Sequence, residues 1–121
     1  MTPHIHKPRT NEPIFWALFG AGGVVVAFIL PMLIFITGVA NPLGLLPDDA
    51  LSYARVHAFA ESWFGQIFLC VVIALSLWHG VHRIFLSLHD FGIEKKNWQR
   101  WILYGGAFVG SVVTTVLLLL V

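Results

Sequence analysis

The chain has 121 residues, of which 58% are hydrophobic and 11% charged, and its formal net charge is +1. This balance gives no basic excess to suggest nucleic acid as a partner, and a single cysteine, Cys70, excludes an internal disulfide and any cysteine-based metal site. Three runs almost free of charge, residues 14–40, 63–88 and 101–121, fill more than half of the length, and the remaining segments are too short to bury a core of their own.

A helix needs about 20 apolar residues to cross a hydrocarbon core of about 30 Å, so each run is long enough to span. Residues 1–13 precede the first span, and Pro3, Pro8 and Pro13 predict an extended tail there. Lys7 and Arg9 ahead of the apolar run, and Gly38-Val39-Ala40 near its end, imitate a secretory signal. The run is well beyond the roughly 7–15 apolar residues of a signal core, which predicts a retained span. Within it, Ala17, Gly20, Ala21 and Gly23 recur at helical spacing. They read either as a face for close helix packing or as the ordinary abundance of small residues in membrane helices. Pro31 predicts a kink, since it removes a backbone donor and crowds the preceding turn.

The connection over residues 41–62 contains Pro47-Asp48-Asp49, where either aspartate suits the cap of a short helix running through Phe59 at the outer surface. The second run, residues 63–88, is interrupted by ionisable groups only near its end, at His79, His82 and Arg83. A second connection, residues 89–100, leads to the third run, where Gly106 and Gly110 form a GxxxG pattern followed by Ser111 and Thr114. The expected fold is therefore all-α, with three transmembrane helices. One side of such a topology carries Lys7, Arg9, Arg83, Lys95, Lys96 and Arg100, and the other only Arg55, which places the N-terminus in the cytoplasm and the C-terminus outside.

The segment Trp78-His79-Gly80-Val81-His82-Arg83 carries the chemistry. At about 100° per residue, His79, His82 and Arg83 fall within an arc of roughly 100°. Arg83 lies about 30 Å along the helix from Trp63, at the cytoplasmic boundary, with the histidines just inside. One reading is that Arg83 snorkels to headgroups beside interfacial histidines. The other is a pocket for a ligand with a polar ring and an apolar tail, in which His donates, accepts or relays a proton and Arg holds an oxygen by fixed charge. Trp16 enters the membrane at the same leaflet, either as an aromatic-belt anchor or as an indole beside the uncrowded surface of Ala17, Gly20 and Ala21. His79 and His82 share one helix face and cannot supply opposite axial ligands to one haem, so a haem held wholly within the chain is not expected. No carboxylate in the spans completes a zinc or iron site, and neither a Ser/His/Asp arrangement nor a phosphate-binding glycine loop is present.

The run from Glu12 through Trp16 and Gly20 to Gly23, then Pro42-Leu43-Gly44 with Asp49-Ala50-Leu51-Ser52-Tyr53, then Trp78 with Gly80-Val81-His82-Arg83 and His89-Asp90, closely resembles the D subunit of bacterial fumarate reductase, its small hydrophobic membrane anchor. The similarity covers the chain from its tail to the start of the third span, which is itself generic. The resemblance implies a single membrane-anchor domain in the bacterial inner membrane with a periplasmic C-terminus, not catalytic alone. It implies pairing with a second anchor, the C subunit, while the flavoprotein (the A subunit, with FAD) and the iron-sulfur protein (the B subunit) attach on the cytoplasmic face. It further implies menaquinol oxidation at a membrane site built partly from Trp16, Gly20, His82 and Arg83, with no haem and no metal on this chain; His79 matches nothing that can be carried over. Two other readings remain open: a haem-sharing anchor of succinate dehydrogenase type, and a small transporter or channel component.

Overall fold

The computed structural model describes residues 12–121, and all regular structure among them is helical. The first helix runs as α1 (Glu12–Val24), a π turn at Val25–Ile29, α2 (Leu30–Phe35) and a second π turn at Ile36–Ala40. A short α3 (Tyr53–Glu61), a long α4 (Trp63–Asp90) and α5 (Asn97–Leu120) complete the chain. Three helical stretches are long and apolar enough to cross a membrane, Trp16–Ala40, Trp63–Asp90 and Asn97–Leu120, with mean hydropathies of 2.5, 1.9 and 2.0. Pro13, expected in an extended tail, instead falls in the first turn of α1, where a missing N–H costs no hydrogen bond. Lys7, Arg9, Pro3 and Pro8 lie outside the described residues.

Pro31 is taken up by widening the helix. It sits in the first turn of α2, directly after a π turn in which the Leu30 N–H bonds to the carbonyl of Val25. The extra residue in that turn relieves the crowding that a proline ring imposes on the carbonyl four residues back. The helix then stops where glycine permits a left-handed residue. Gly44, at φ +68°, lets the Leu45 N–H reach the carbonyl of Ala40 and its own N–H reach Asn41, so two otherwise orphaned carbonyls are satisfied. Gly92, at φ +72°, ends α4 in the same way: Ile93 N–H bonds to Leu88 and Gly92 N–H to His89. This cap explains why the second helix outlasts its apolar run and reaches Asp90. The third starts early for a related reason, since the Gln99 side chain accepts from the Lys96 N–H at 3.0 Å and closes the first turn ahead of Trp101.

The aspartate cap does not form. Helix α3 begins at Tyr53, and Asp49 is instead engaged twice, its carbonyl accepting from Ser52 N–H at 3.0 Å and its carboxylate pairing with Arg55 at 2.7 Å. The polypeptide turns sharply from α3 into α4 at Ser62, whose hydroxyl donates to the Phe59 carbonyl and accepts from Gly65 N–H, capping α4. A Cβ on Gly65 would overlap the Phe59 carbonyl oxygen, so this corner requires glycine.

Helix α4 is central, packed against α1 on one side and α5 on the other, with α3 over its N-terminal end. Small residues set both seams, though not as the spacing suggests. Toward α1, Gly22 makes the close approach: a Cβ there would lie 2.8 Å from both His79 Cβ and the Leu75 carbonyl oxygen. Gly23 lies beside the His79 ring, whereas Ala17, Gly20 and Ala21 face outward. Toward α5, the buried Ala107 and Gly110 meet α4, with a Gly110 Cβ reaching 3.0 Å from Leu77, whereas Gly106 faces open space. The GxxxG pair is therefore split. Polar side chains within α5 turn back onto their own helix: Ser111, Thr114 and Thr115 hydroxyls donate to carbonyls four residues earlier. Gln66 of α4 reaches across to the Leu118 carbonyl at 3.0 Å, one of the carbonyls that the last turn of α5 leaves without a helical partner.

Only Val25, Ala40, Val72 and Ala107 are buried among the described hydrophobic side chains. Large apolar residues cover the outside of every span, a surface suited to lipid and to other membrane helices.

Candidate functional site

The polar end of α4 is where all three spans meet. His82 turns inward, and its Nδ1 lies 2.6 Å from the Tyr104 hydroxyl of α5. On its other side Phe19 of α1 meets the His82 ring edge-on at 4.7 Å and stacks on His79 at 4.6 Å. Trp78 and Phe85 flank the Tyr104 ring at 6.1 and 5.9 Å, and Lys95 lies 5.5 Å over the Phe85 ring. A ladder of rings therefore runs from the connection between α4 and α5 inward to the α1–α4 seam.

His79 now has a role. Its Nδ1 is 3.2 Å from the Phe19 carbonyl oxygen, and because a carbonyl only accepts, His79 carries its hydrogen on Nδ1. With its Cβ over Gly22 and its ring on Phe19, it pins α1 to α4.

The four expected ligand-binding residues divide into an inner and an outer set. His82 is half-buried at the junction. Trp16 is 74% exposed, Gly20 has open space where a side chain would be, and Arg83 is exposed with no ion pair among the described residues. Trp16 and Gly20, one turn apart, share the outward face of α1, and Phe19 sits between them in sequence with its ring on His82. No described contact joins Arg83 to Trp16. The junction thus presents a wall of His82, Tyr104 and Phe19, while the Trp16 indole, the Gly20 surface and the Arg83 guanidinium are exposed on the outside of the chain. An open groove of 390 Å³, lined by Trp78, Phe108, Ser111, Val112, Thr115 and Val116, lies farther along α5 and includes none of the four. The two hydroxyls on its walls, Ser111 and Thr115, both already donate to carbonyls within α5.

Sequence reasoning missed Tyr104 and Phe19. Tyr104 carries the only phenol in the three spans, four residues beyond Arg100 and so near the level of His82, a signal that the sequence did contain. Among the described residues no group of three or more His, Cys, Asp or Glu side chains is gathered to hold a metal ion.

Comparison with known proteins gives this arrangement its context. The pattern of the family formed by the D subunit of fumarate reductase matches residues 6–119. The chain belongs to that family. The corresponding fumarate reductase protein of Photobacterium profundum is 34% identical over 118 residues, covering 98% of both chains. That of Vibrio cholerae is 36% identical over 113 residues, 93% of this chain and 87% of the relative, and that of Vibrio parahaemolyticus is 44% identical over 82 residues, 68% and 66%. As a member of this fumarate reductase family, the chain is a multi-pass membrane anchor and one component of a complex of several subunits. The apolar outer faces are what a component of such an assembly needs.

Proposed function

We propose that this chain, together with a second small anchor, attaches the flavoprotein and the iron-sulfur protein of fumarate reductase to the cytoplasmic face of the bacterial inner membrane, and that its α1–α4–α5 junction forms part of the menaquinol oxidation site. The observation that carries the reading is the convergence of Phe19, His82 and Tyr104 beside an exposed Trp16 and Arg83 in a chain of this family. The donor set fits a quinol. A naphthalene-type ring needs flat apolar surface, which Trp16, Gly20 and Phe19 offer, and its two oxygens need a hydrogen-bonding group and a fixed positive charge, which His82 and Arg83 supply. Menaquinol oxidised here delivers electrons to the iron-sulfur clusters and FAD of the partner subunits and releases protons. The chain's own part is to hold and orient: Arg83 draws a ring oxygen by charge, His82 by a hydrogen bond, and Trp16 bounds the ring edge. The outward direction of Trp16, Gly20 and Arg83 supports an opposite wall, and a proton acceptor with it, on the partner subunits, since Glu12 is the one carboxylate of this chain near this depth.

Purification through an affinity tag on this chain is expected to bring down a flavoprotein, an iron-sulfur protein and a second small anchor, with menaquinol-driven fumarate reduction and no Soret band. Recovery of the chain without the soluble subunits contradicts the anchor role, and a Soret band moves the span histidines to a shared haem. The basic-residue asymmetry supports the orientation. A reporter fused after Val121 is expected to be active only in its periplasmic form, and activity of a cytoplasmic reporter there reverses the topology.

A further inference from the structure

We propose that Tyr104 is the positioning residue of the site: its hydroxyl donates to His82 Nδ1 and so fixes His82 in the tautomer that carries hydrogen on Nε2, the donor offered to a quinol oxygen. The proposal rests on the reading of this junction as a quinol site.

Tyr104 is half-buried with Trp78 and Phe85 against its ring, and the only acceptor at hydrogen-bond distance from its oxygen among the described residues is His82 Nδ1, at 2.6 Å. Were Nδ1–H the donor instead, the phenolic hydrogen would be left without a partner among aromatic side chains, at the cost of an unsatisfied polar group. The bond therefore runs from Tyr104 to His82. A neutral imidazole that accepts at Nδ1 carries its hydrogen on Nε2.

His79 supplies the contrast. Its Nδ1 faces the Phe19 carbonyl, which cannot donate, so its hydrogen sits on Nδ1. Two histidines one turn apart, both against the Phe19 ring, are thus held in opposite tautomers by two different partners. Only His82 is left with a ring N–H to give. Without Tyr104 the His82 ring would be free to take either tautomer and to rotate, and the ordering would have to be supplied when quinol binds.

Two measurements on the whole complex test this. Nuclear magnetic resonance of isotope-labelled histidine in the wild-type complex is expected to find His82 protonated at Nε2 and bare at Nδ1, with His79 the reverse. Hydrogen on Nδ1 of His82 overturns the proposal, and this readout does not depend on any variant folding. In Tyr104→Phe, the Kd of a short-chain menaquinol analogue and the KM for it are both expected to rise about three- to tenfold, with kcat changed far less, rates being normalised to dye-driven fumarate reduction as a measure of assembled complex. If Tyr104→Phe leaves Kd and KM unchanged while His82→Ala raises them, the role of Tyr104 is refuted and the quinol site stands. If neither variant moves Kd, the junction does not bind quinol and both fall together.

Discussion

Replacing Arg83 by leucine is expected to lower menaquinol-driven fumarate reduction about a hundredfold in the assembled complex, with reduction driven by an artificial dye retained. Arg83 follows His82 directly, so its side chain leaves α4 about 100° around the helix from a histidine already engaged with Tyr104 and Phe19. It is exposed and has no carboxylate partner among the described residues. A guanidinium near the membrane boundary without a partner in its own chain is either hydrated, spread against headgroups, or held in readiness for an acceptor that another component brings. In the last case partners shield it from water, and its attraction for a quinol oxygen is stronger than at an open surface. Leucine keeps the apolar stem and the helix but removes all the donors, so the loss isolates the head group. Arg83→Lys keeps a charge without the planar fork and is expected to fall between the two. Survival of both the quinol-driven and the dye-driven rate in Arg83→Leu makes Arg83 a snorkelling anchor and removes it from the site.

The spans and the polar end of α4 were legible in the sequence because a bilayer imposes demands that composition alone reveals: long apolar runs, and few ionisable groups inside them. Which faces meet was not. Residues 20, 21, 22 and 23 of α1 are all small, and at about 100° per residue a choice among them decides whether the seam points at α4 or at a neighbour. The seam uses Gly22, which left Gly20 and Ala21 on the outside, where a planar ligand or a partner helix has access. The pairing of His82 with Tyr104 spans 22 residues and depends on the register of α4 against α5, which only packing fixes. The failed aspartate cap has a local cause: Ser52 takes the cap position of α3, while Asp49 is drawn to Arg55.

The seam at Gly22 carries the second large effect. Gly22→Leu is expected to lower the thermal midpoint of the complex sharply, and Gly22→Ala to cost about 1–3 kcal/mol, the range for overfilling a close-packed contact. The reason is the nature of the obstruction. A Cβ on Gly22 meets the Leu75 carbonyl oxygen and His79 Cβ, both at 2.8 Å, and neither can swing away by changing a rotamer. The helices must separate, and what holds them at this level separates with them: the His79 Nδ1–H bond to the Phe19 carbonyl at 3.2 Å and the ring stack at 4.6 Å. Phe19 also borders His82, so the menaquinol-driven rate is expected to fall along with stability. Gly106→Ala is the control, because a Cβ there meets nothing within 4 Å in this chain, and alanine is by itself the better helix former. A neutral Gly106→Ala beside a damaging Gly22→Ala confirms that the α1–α4 seam is set by steric fit. Equal costs at the two positions refute that account and place Gly106 against a helix of the partner anchor.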